Sequence, residues 1–254
     1  MIDIHSHILP GIDDGSKNIK MTLDMLRIAE KDGITEIVAT PHFCRGYGET
    51  PYEEVRELVK EFNKVILSEG INLTINYGQE VYYSENMIDD YKKGLIGTIN
   101  DSRYMLFELP MRKMESEAFD IIYELQVLGI TPVLAHPERY KFIMDKPSFI
   151  NKFIEEGVLF QMNAGSIRGD FGATVKKTAS ILLEHEIYNF IGSDGHNDTT
   201  RKTEISDGID LSIQKNKMYK DFFENSAKNL LLNKDIEFCG RKIKEKKSFL
   251  SFFK

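Results

Sequence analysis

The chain is poor in cysteine: Cys44 and Cys239 are the only two among 254 residues, and they lie far apart. So sparse a supply excludes a disulfide framework and fits a reducing compartment, so we expect a cytoplasmic protein. Long apolar runs are missing too, and none approaches the roughly 18 residues that a membrane helix needs. The first residues, Met1-Ile2-Asp3-Ile4-His5, have neither the basic nor the apolar stretch of a secretion signal, so no signal peptide is expected. Positive charge is in deficit: 33 Lys and Arg face 40 Asp and Glu, a formal charge of −7. General nucleic-acid binding calls for a basic surplus, so no nucleic-acid partner is expected.

Several catalytic signatures are also missing. Thr50 and Glu245 stand six residues after the two cysteines, so there is no Cys-x5-Arg phosphatase loop. No Asp-x-Asp pair serves an aspartyl-phosphate route, and no Gly-Lys dipeptide builds a phosphate-binding loop. Gly46-Tyr47-Gly48 continues to Pro51 rather than to a third glycine, so a dinucleotide fingerprint fails. There is no internal repeat and no Pro/Gly/Ser-rich linker.

What is present is an ordinary globular balance, 41% hydrophobic and 29% charged. Short apolar runs rich in β-branched and aromatic residues predict seven strands: Ile2–His5, Glu36–Thr40, Leu73–Gln79, Tyr104–Leu109, Pro132–Ala135, Val158–Met162 and Tyr188–Ile191. Amphipathic stretches between them predict helices over Ile19–Lys31, Tyr52–Glu69, Glu115–Leu128, Ser148–Glu156 and Thr174–Glu186. Alternation of this kind makes an α/β protein with a parallel sheet, either a barrel or a doubly wound sheet. Single α/β barrels run near about 250 residues, which favours one domain. That domain is expected to span residues 1–240. Residues 241–254 form a basic, aromatic tail, read as a frayed end or packing appendage, with contact to a membrane surface as the alternative.

Five of the six histidines fall at the ends of predicted strands: His5, His7, His42, His136 and His196. Asp14, Glu80, Glu108 and Asp194 occupy equivalent places or lie beside them. Any one of these alone is more often a hydrogen-bonded structural group. Together they converge, because all strand C-termini of a parallel α/β fold face one rim. Crowding so many carboxylates without cations is costly, so a site for divalent metal is expected. His5-Ser6-His7 has the period of a strand, which aims both imidazoles to one side. Nitrogen and oxygen donors without thiolate suit manganese, iron or zinc. Nine ligands exceed the needs of one tetrahedral ion, so two or three ions are implied. Three such ions against four carboxylates leave a surplus of about +2, a counterpart for a phosphate dianion. Arg139 and Arg201 follow His136 and His196 closely and offer planar forks for phosphate oxygens. His185 falls on the last turn of a predicted helix and reads as structural.

These motifs resemble the polymerase and histidinol phosphatase (PHP) superfamily over almost the whole chain. The resemblance rests on Asp3-Ile4-His5-Ser6-His7, Gly11-Ile12-Asp13-Asp14-Gly15-Ser16, Ala39-Thr40-Pro41-His42, Gly78-Gln79-Glu80 and Phe107-Glu108-Leu109-Pro110. It continues through Leu134-Ala135-His136-Pro137-Glu138-Arg139-Tyr140 and Gly192-Ser193-Asp194-Gly195-His196-Asn197. In detail the chain is similar to the manganese-dependent tyrosine-protein phosphatases of bacterial capsule and exopolysaccharide operons. That resemblance implies a distorted (β/α)7 TIM-like barrel with a trinuclear metal site. One ion would take His5, His7, Glu80 and Asp194. A second would take Glu80, Glu108 and His136, and a third Asp14, His42 and His196. Arg139 and Arg201 match the family's phosphate-contacting arginines. The implied activity is hydrolysis of phosphotyrosine by metal-activated water. Phenolate leaves readily, and where a proton donor is needed His42 or His196 is the candidate if not fully engaged by metal. The implied partner is a membrane-associated bacterial tyrosine autokinase, and some members form homo-oligomeric rings. The segment Phe43-Cys44-Arg45-Gly46-Tyr47-Gly48 varies in character and is expected to shape substrate access. The alternatives are a phosphatase for histidinol phosphate or another small phosphomonoester, a nuclease or nucleotide phosphatase, and a metal-bearing module without turnover.

Overall fold

The predicted apolar runs at Ile2–His5, Tyr104–Leu109, Pro132–Ala135 and Val158–Met162 become strands buried along nearly their whole length, as expected where helices cover a parallel sheet. A computed structural model describes residues 1–244. The strands are β1 (Ile2–Ser6), β2 (Glu36–Ala39), β3 (His42–Cys44), β4 (Gly48–Glu49), β5 (Thr74–Tyr77), β6 (Glu80–Tyr82), β7 (Tyr104–Glu108), β8 (Thr131–Ala135), β9 (Leu159–Asn163) and β10 (Phe190–Gly192). Helices α1 (Ile19–Asp32), α2 (Tyr52–Ser68), α3 (Met87–Lys92), α4 (Ala118–Val127) and α5 (Lys141–Asp145) fall in the first part of the chain. Helices α6 (Ile150–Glu155), α7 (Ala164–Arg168), α8 (Ala173–Glu184), α9 (Ser206–Lys215) and α10 (Tyr219–Leu231) follow. The ends of α1 show how local chemistry sets them. The side chain of Asn18 accepts the Met21 N–H, and Gly33 closes the helix in the left-handed region at φ 91°. Helix α2 buries Tyr52, Val55, Val59, Phe62 and Ile66 on one face.

Pairing runs in two sets, β1-β2-β5 and β10-β9-β8-β7-β6-β3-β4. They join at two kinks. Pro41 separates β2 from β3, and Gly78-Gln79 separates β5 from β6. Across the kinks, Gly78 N–H donates to Ala39 O at 2.9 Å and Glu80 N–H to Pro41 O at 3.1 Å. The ring closes where Ser6 bridges Gly195 in parallel. There His7 N–H donates to Gly195 O at 2.9 Å and Asp194 N–H to His5 O at 2.8 Å. Seven parallel strand courses thus encircle one interior, the (β/α)7 barrel expected, with β3–β4 forming a small antiparallel hairpin at its rim.

The second and third predicted strands differ from expectation. Glu36–Thr40 breaks at Pro41, which has no N–H to give, and resumes as β3. Leu73–Gln79 breaks at Gly78 and resumes as β6. His42 and Glu80 therefore begin strand segments instead of following or ending them. The short helices α3, α5 and α7, and the longer α9 and α10, lie outside the predicted helices. In α9 the fully buried positions are the small Gly208 and Ser212, which carry no apolar signal. In α10 the buried Tyr219, Phe223, Ala227 and Leu230 are diluted by Lys and Asn.

Two cores result. The larger packs helices against the outside of the strands. The smaller joins Ile4, Val38, Leu106, Val133, Leu159 and Phe190, one from each of six strands, with Ala227 and Leu230 of α10. Residues after α10 stay against the barrel. Tyr104 donates its hydroxyl to Lys234 O at 2.6 Å, and Phe238 lies edge-on to Phe160 at 5.9 Å. The first residues of the predicted tail also pack, with Arg241 N–H on His185 O at 2.8 Å and Lys242 on Glu155 at 2.8 Å. The rest of the tail, residues 245–254, lies outside the described residues. His185 caps α8, its Nδ1 2.9 Å from Ile181 O, a structural role. Among the described residues no helix is long and apolar enough to cross a membrane.

Candidate metal centre

The C-terminal mouth of the barrel gathers all nine of the ligand candidates. His5 Nε2 and His7 Nε2 face each other at 3.2 Å. Both point at Glu80 Oε2, at 3.1 and 3.2 Å, and at Asp194 Oδ1, at 3.7 and 3.5 Å. The other nitrogen of each ring is spoken for. Asp13 can only accept when ionised, so His7 Nδ1 donates to it at 2.7 Å. Gln161 uses its amide N–H groups on Met162 O and Asn163 Oδ1, so its oxygen receives the His5 Nδ1 proton at 2.9 Å. With Nδ1 donating to these acceptors, each ring turns its Nε2 toward the other and toward two carboxylate oxygens. Partners of this kind fix metal-binding imidazoles.

Glu80 spans two positions. Its Oε2 serves His5, His7 and His42, the last with Nδ1 at 3.2 Å, while its Oε1 lies 3.0 Å from His136 Nε2. Glu108 Oε1 is 3.5 Å from the same His136 nitrogen. At the opening, Asp14 Oδ1 lies 3.3 Å from His196 Nε2 and 3.7 Å from His42 Nε2. Among the described residues, three groups of side chains offer donor atoms close enough to share an ion: His5, His7, Glu80 and Asp194; His7, Asp14, His42 and His196; and His42, Glu80 and Glu108. In the last group His42 stands where the resemblance put His136, and in the second His7 joins the implied set.

Electrostatics agree with a cation site. Burial, together with the charges of Glu80 and Asp194, pushes Glu108 up to about 9. Burial and the charge of Arg139 push His136 down to about 4, which keeps it neutral and ready to ligate. Burial opposes charge on His7, yet Asp13 and Glu80 hold its proton affinity well above the ordinary imidazole value. Burial would raise Asp194, but His5, Arg201, His196 and Arg139 hold it far below the usual carboxylate range. His136 Nδ1 is buried with no hydrogen-bond partner, and His42 Nδ1, although 3.2 Å from Glu80 Oε2, makes no hydrogen bond to it. A donor set of imidazoles and carboxylates fits hard or borderline divalent ions.

Both arginines close on Asp194. Arg139 Nη1 reaches Oδ2 at 2.9 Å and Arg201 Nη2 reaches Oδ1 at 2.7 Å. Asn163 adds a bond to Oδ2 at 2.6 Å. The ring of Phe171 lies under both guanidinium groups, 4.7 Å from Arg139 and 5.9 Å from Arg201. His136 and Asp194 are held in the left-handed region, at φ 34° and 52°. Each such residue costs about 1–3 kcal/mol, and that strain concentrates at functional sites.

Sequence reasoning missed Asp3, Asp13, Gln161, Asn163 and Phe171. Buried Asp3, its pKa raised to about 6 mainly by burial, accepts the N–H groups of His5 and Ser193. Gln161 had a legible signal, a polar residue inside an otherwise apolar strand, with Asn163 two places on. Asp13 was visible as the neighbour of Asp14. Phe171 gave no signal.

A barrel whose mouth holds imidazoles, carboxylates and two guanidinium groups places the chain in the class of metal-dependent barrel hydrolases. Residues 1–232 match the model of the family described as capsular polysaccharide synthesis, CpsB/CapC, and the chain belongs to that family. It is 36% identical to tyrosine-protein phosphatase YwqE of Bacillus subtilis (strain 168), over 209 residues that cover 82% of each chain. It is 35% identical to the putative tyrosine-protein phosphatase CapC of Staphylococcus aureus, over 231 residues, 90% of this chain and 89% of that one. A solved structure from work on YwqE of Bacillus subtilis and CpsB of Streptococcus pneumoniae, described as metal-dependent tyrosine phosphatases, matches with TM-score 0.91 at 33% identity. It covers 96% of this chain and 100% of that one. A histidinol phosphate phosphatase of Lactococcus lactis, 13% identical at TM-score 0.50, shares the fold alone.

Proposed function

We propose that this chain is a metal-dependent protein-tyrosine phosphatase that uses His5, His7, Asp14, His42, Glu80, Glu108, His136, Asp194 and His196 to hold two or three divalent ions. The carrying observation is the pair of Nε2 atoms 3.2 Å apart, both aimed at Glu80 and Asp194. Relatives at 35–36% identity named as tyrosine-protein phosphatases support the substrate class. Mn²⁺ is the ion we propose, with iron or zinc compatible with the same donors. Bound cations would supply Lewis acidity toward water and the phosphoryl oxygens.

The chain's own residues supply the rest. Glu80 turns Oε2 toward His5 and Oε1 toward His136, and would offer a carboxylate oxygen to ions held on either side. Arg139 and Arg201, braced on Asp194 and Phe171, present guanidinium groups to the equatorial oxygens of a phosphoryl group. His42 and His196 stand at the opening beside Asp14, where a ring not engaged by metal can pass a proton to the leaving phenolate. A phenolate leaves readily, so this help is minor. The β3–β4 hairpin frames the opening, with Tyr47 exposed on it and 6.4 Å from the His42 ring. As physiological target we propose a membrane-associated bacterial tyrosine kinase, met by a cytoplasmic homo-oligomer of this chain.

The test offers Mn²⁺-loaded protein a phosphotyrosine peptide and L-histidinol phosphate at equal concentration, with an EDTA control. Preference for the peptide, abolished by EDTA, is expected. Preference for histidinol phosphate would move the substrate class while leaving the metal centre intact. No turnover of either would overturn the catalytic reading.

A further inference from the structure

Beside the metal centre lies a separate cleft of about 280 Å³, lined by Gly165, Arg168, Asp170, Phe171, Ser193, Thr200, Arg201 and Lys202. Arg201 and Phe171 belong to both places, so the cleft opens directly off the arginine pair that faces the phosphate position. Its charge is lopsided: three cations face one carboxylate. Asp170 is matched by Arg168, whose Nε it holds at 3.0 Å, and Arg168 Nη1 is pinned to Glu204 O at 3.3 Å. Arg201 spends Nη2 on Asp194, while its Nε is buried without a hydrogen-bond partner. Lys202 has neither an ion-pair nor a side-chain hydrogen-bond partner among the described residues. Ser193 and Thr200 add hydroxyl groups to the lining.

The size narrows what can bind. At about 280 Å³ it sits at the small end of ligand pockets, which run about 300–1,000 Å³, and has room for one side chain of a larger ligand. The excess of positive charge selects an anionic side chain. Its position beside the guanidinium pair puts that side chain on the same peptide as the phosphotyrosine.

We propose that this cleft is a specificity subsite that binds an anionic side chain flanking the phosphotyrosine, with Lys202 as its main unpaired cation. The proposal rests on the phosphatase reading above. A carboxylate and a second phosphate share the required chemistry, and the experiment separates them.

Three phosphotyrosine peptides of equal length carry alanine, glutamate or a second phosphotyrosine on both flanks. For each, kcat/KM is measured at low salt on Mn²⁺-loaded wild type, Lys202→Ala and Lys202→Glu. Wild type is expected to favour an anionic flank over alanine by about two- to fivefold, the worth of a partly exposed charge pair, mainly through KM. Lys202→Ala shrinks that ratio and Lys202→Glu inverts it, and added salt weakens the preference in wild type. Preference for both anionic peptides supports a general anion subsite, and preference for one alone supports a carboxylate or a phosphate subsite accordingly. Equal kcat/KM for all three peptides in wild type, or an unchanged preference in Lys202→Glu, overturns the subsite while the phosphatase reading stands. No hydrolysis of any peptide by wild type overturns both.

Discussion

Two residues apart on β7, Leu106 packs with Ile4, Val38 and Val133, while Glu108 stands 3.5 Å from His136 Nε2. The same contrast recurs along β9, where Leu159 joins the apolar cluster and Gln161 orients His5. One set of strands therefore builds two regions. Toward the strand N-termini the interior is apolar and plugged by Ala227 and Leu230 of α10. Toward the C-termini it is crowded with buried imidazoles and carboxylates. The lower region is stabilised by burial, about 25 cal/mol per Å² of apolar surface. The upper region works against folding, since uncompensated buried charge is costly. Stability and activity should therefore separate along the barrel axis.

That separation can be broken from either end. Glu80→Gln carries the largest expected effect. It removes a charge that His5, His7, His42 and His136 share, and turnover of a phosphotyrosine peptide should fall at least about a thousandfold with the fold retained by circular dichroism. Leu106→Ala tests the opposite region. It should cost about 2–5 kcal/mol of stability in denaturant unfolding, with the number of bound ions per folded chain unchanged. Gln161→Leu sharpens the boundary between the two. It removes the acceptor that holds His5 Nδ1, and metal affinity measured against a competing chelator should fall about 10–100-fold. Full metal affinity in that variant would show that the neighbouring packing alone orients His5.

The legibility of the molecule follows the same division. Strands of the barrel could be read because burial on both faces makes them continuous apolar runs, as in Ile2–Ser6 and Tyr104–Glu108. The nine ligand candidates could be read because parallel topology sends every strand C-terminus to one mouth. What escaped was set by contacts distant in sequence. Pro41 and Gly78 interrupt their strands at a paired kink, and only the pairing reveals that His42 and Glu80 start new segments side by side. Helix α9 buries Gly208 and Ser212, and at Gly208 any side chain would collide with Ala164. Phe171 matters through two arginines, one 32 residues before it and the other 30 after.

If the polar mouth is a multi-ion centre anchored on Glu80, metal content and activity must fall together when that carboxylate is lost. Metal is counted in chelator-treated protein reloaded with Mn²⁺ and dialysed, wild type against Glu80→Gln, with peptide hydrolysis followed on the same samples. Two or three ions per wild-type chain are expected, fewer in the variant, and activity that returns only as ions bind. Wild type that hydrolyses the peptide at full rate without bound metal, or a variant that keeps every ion and full activity, would contradict the multi-ion centre.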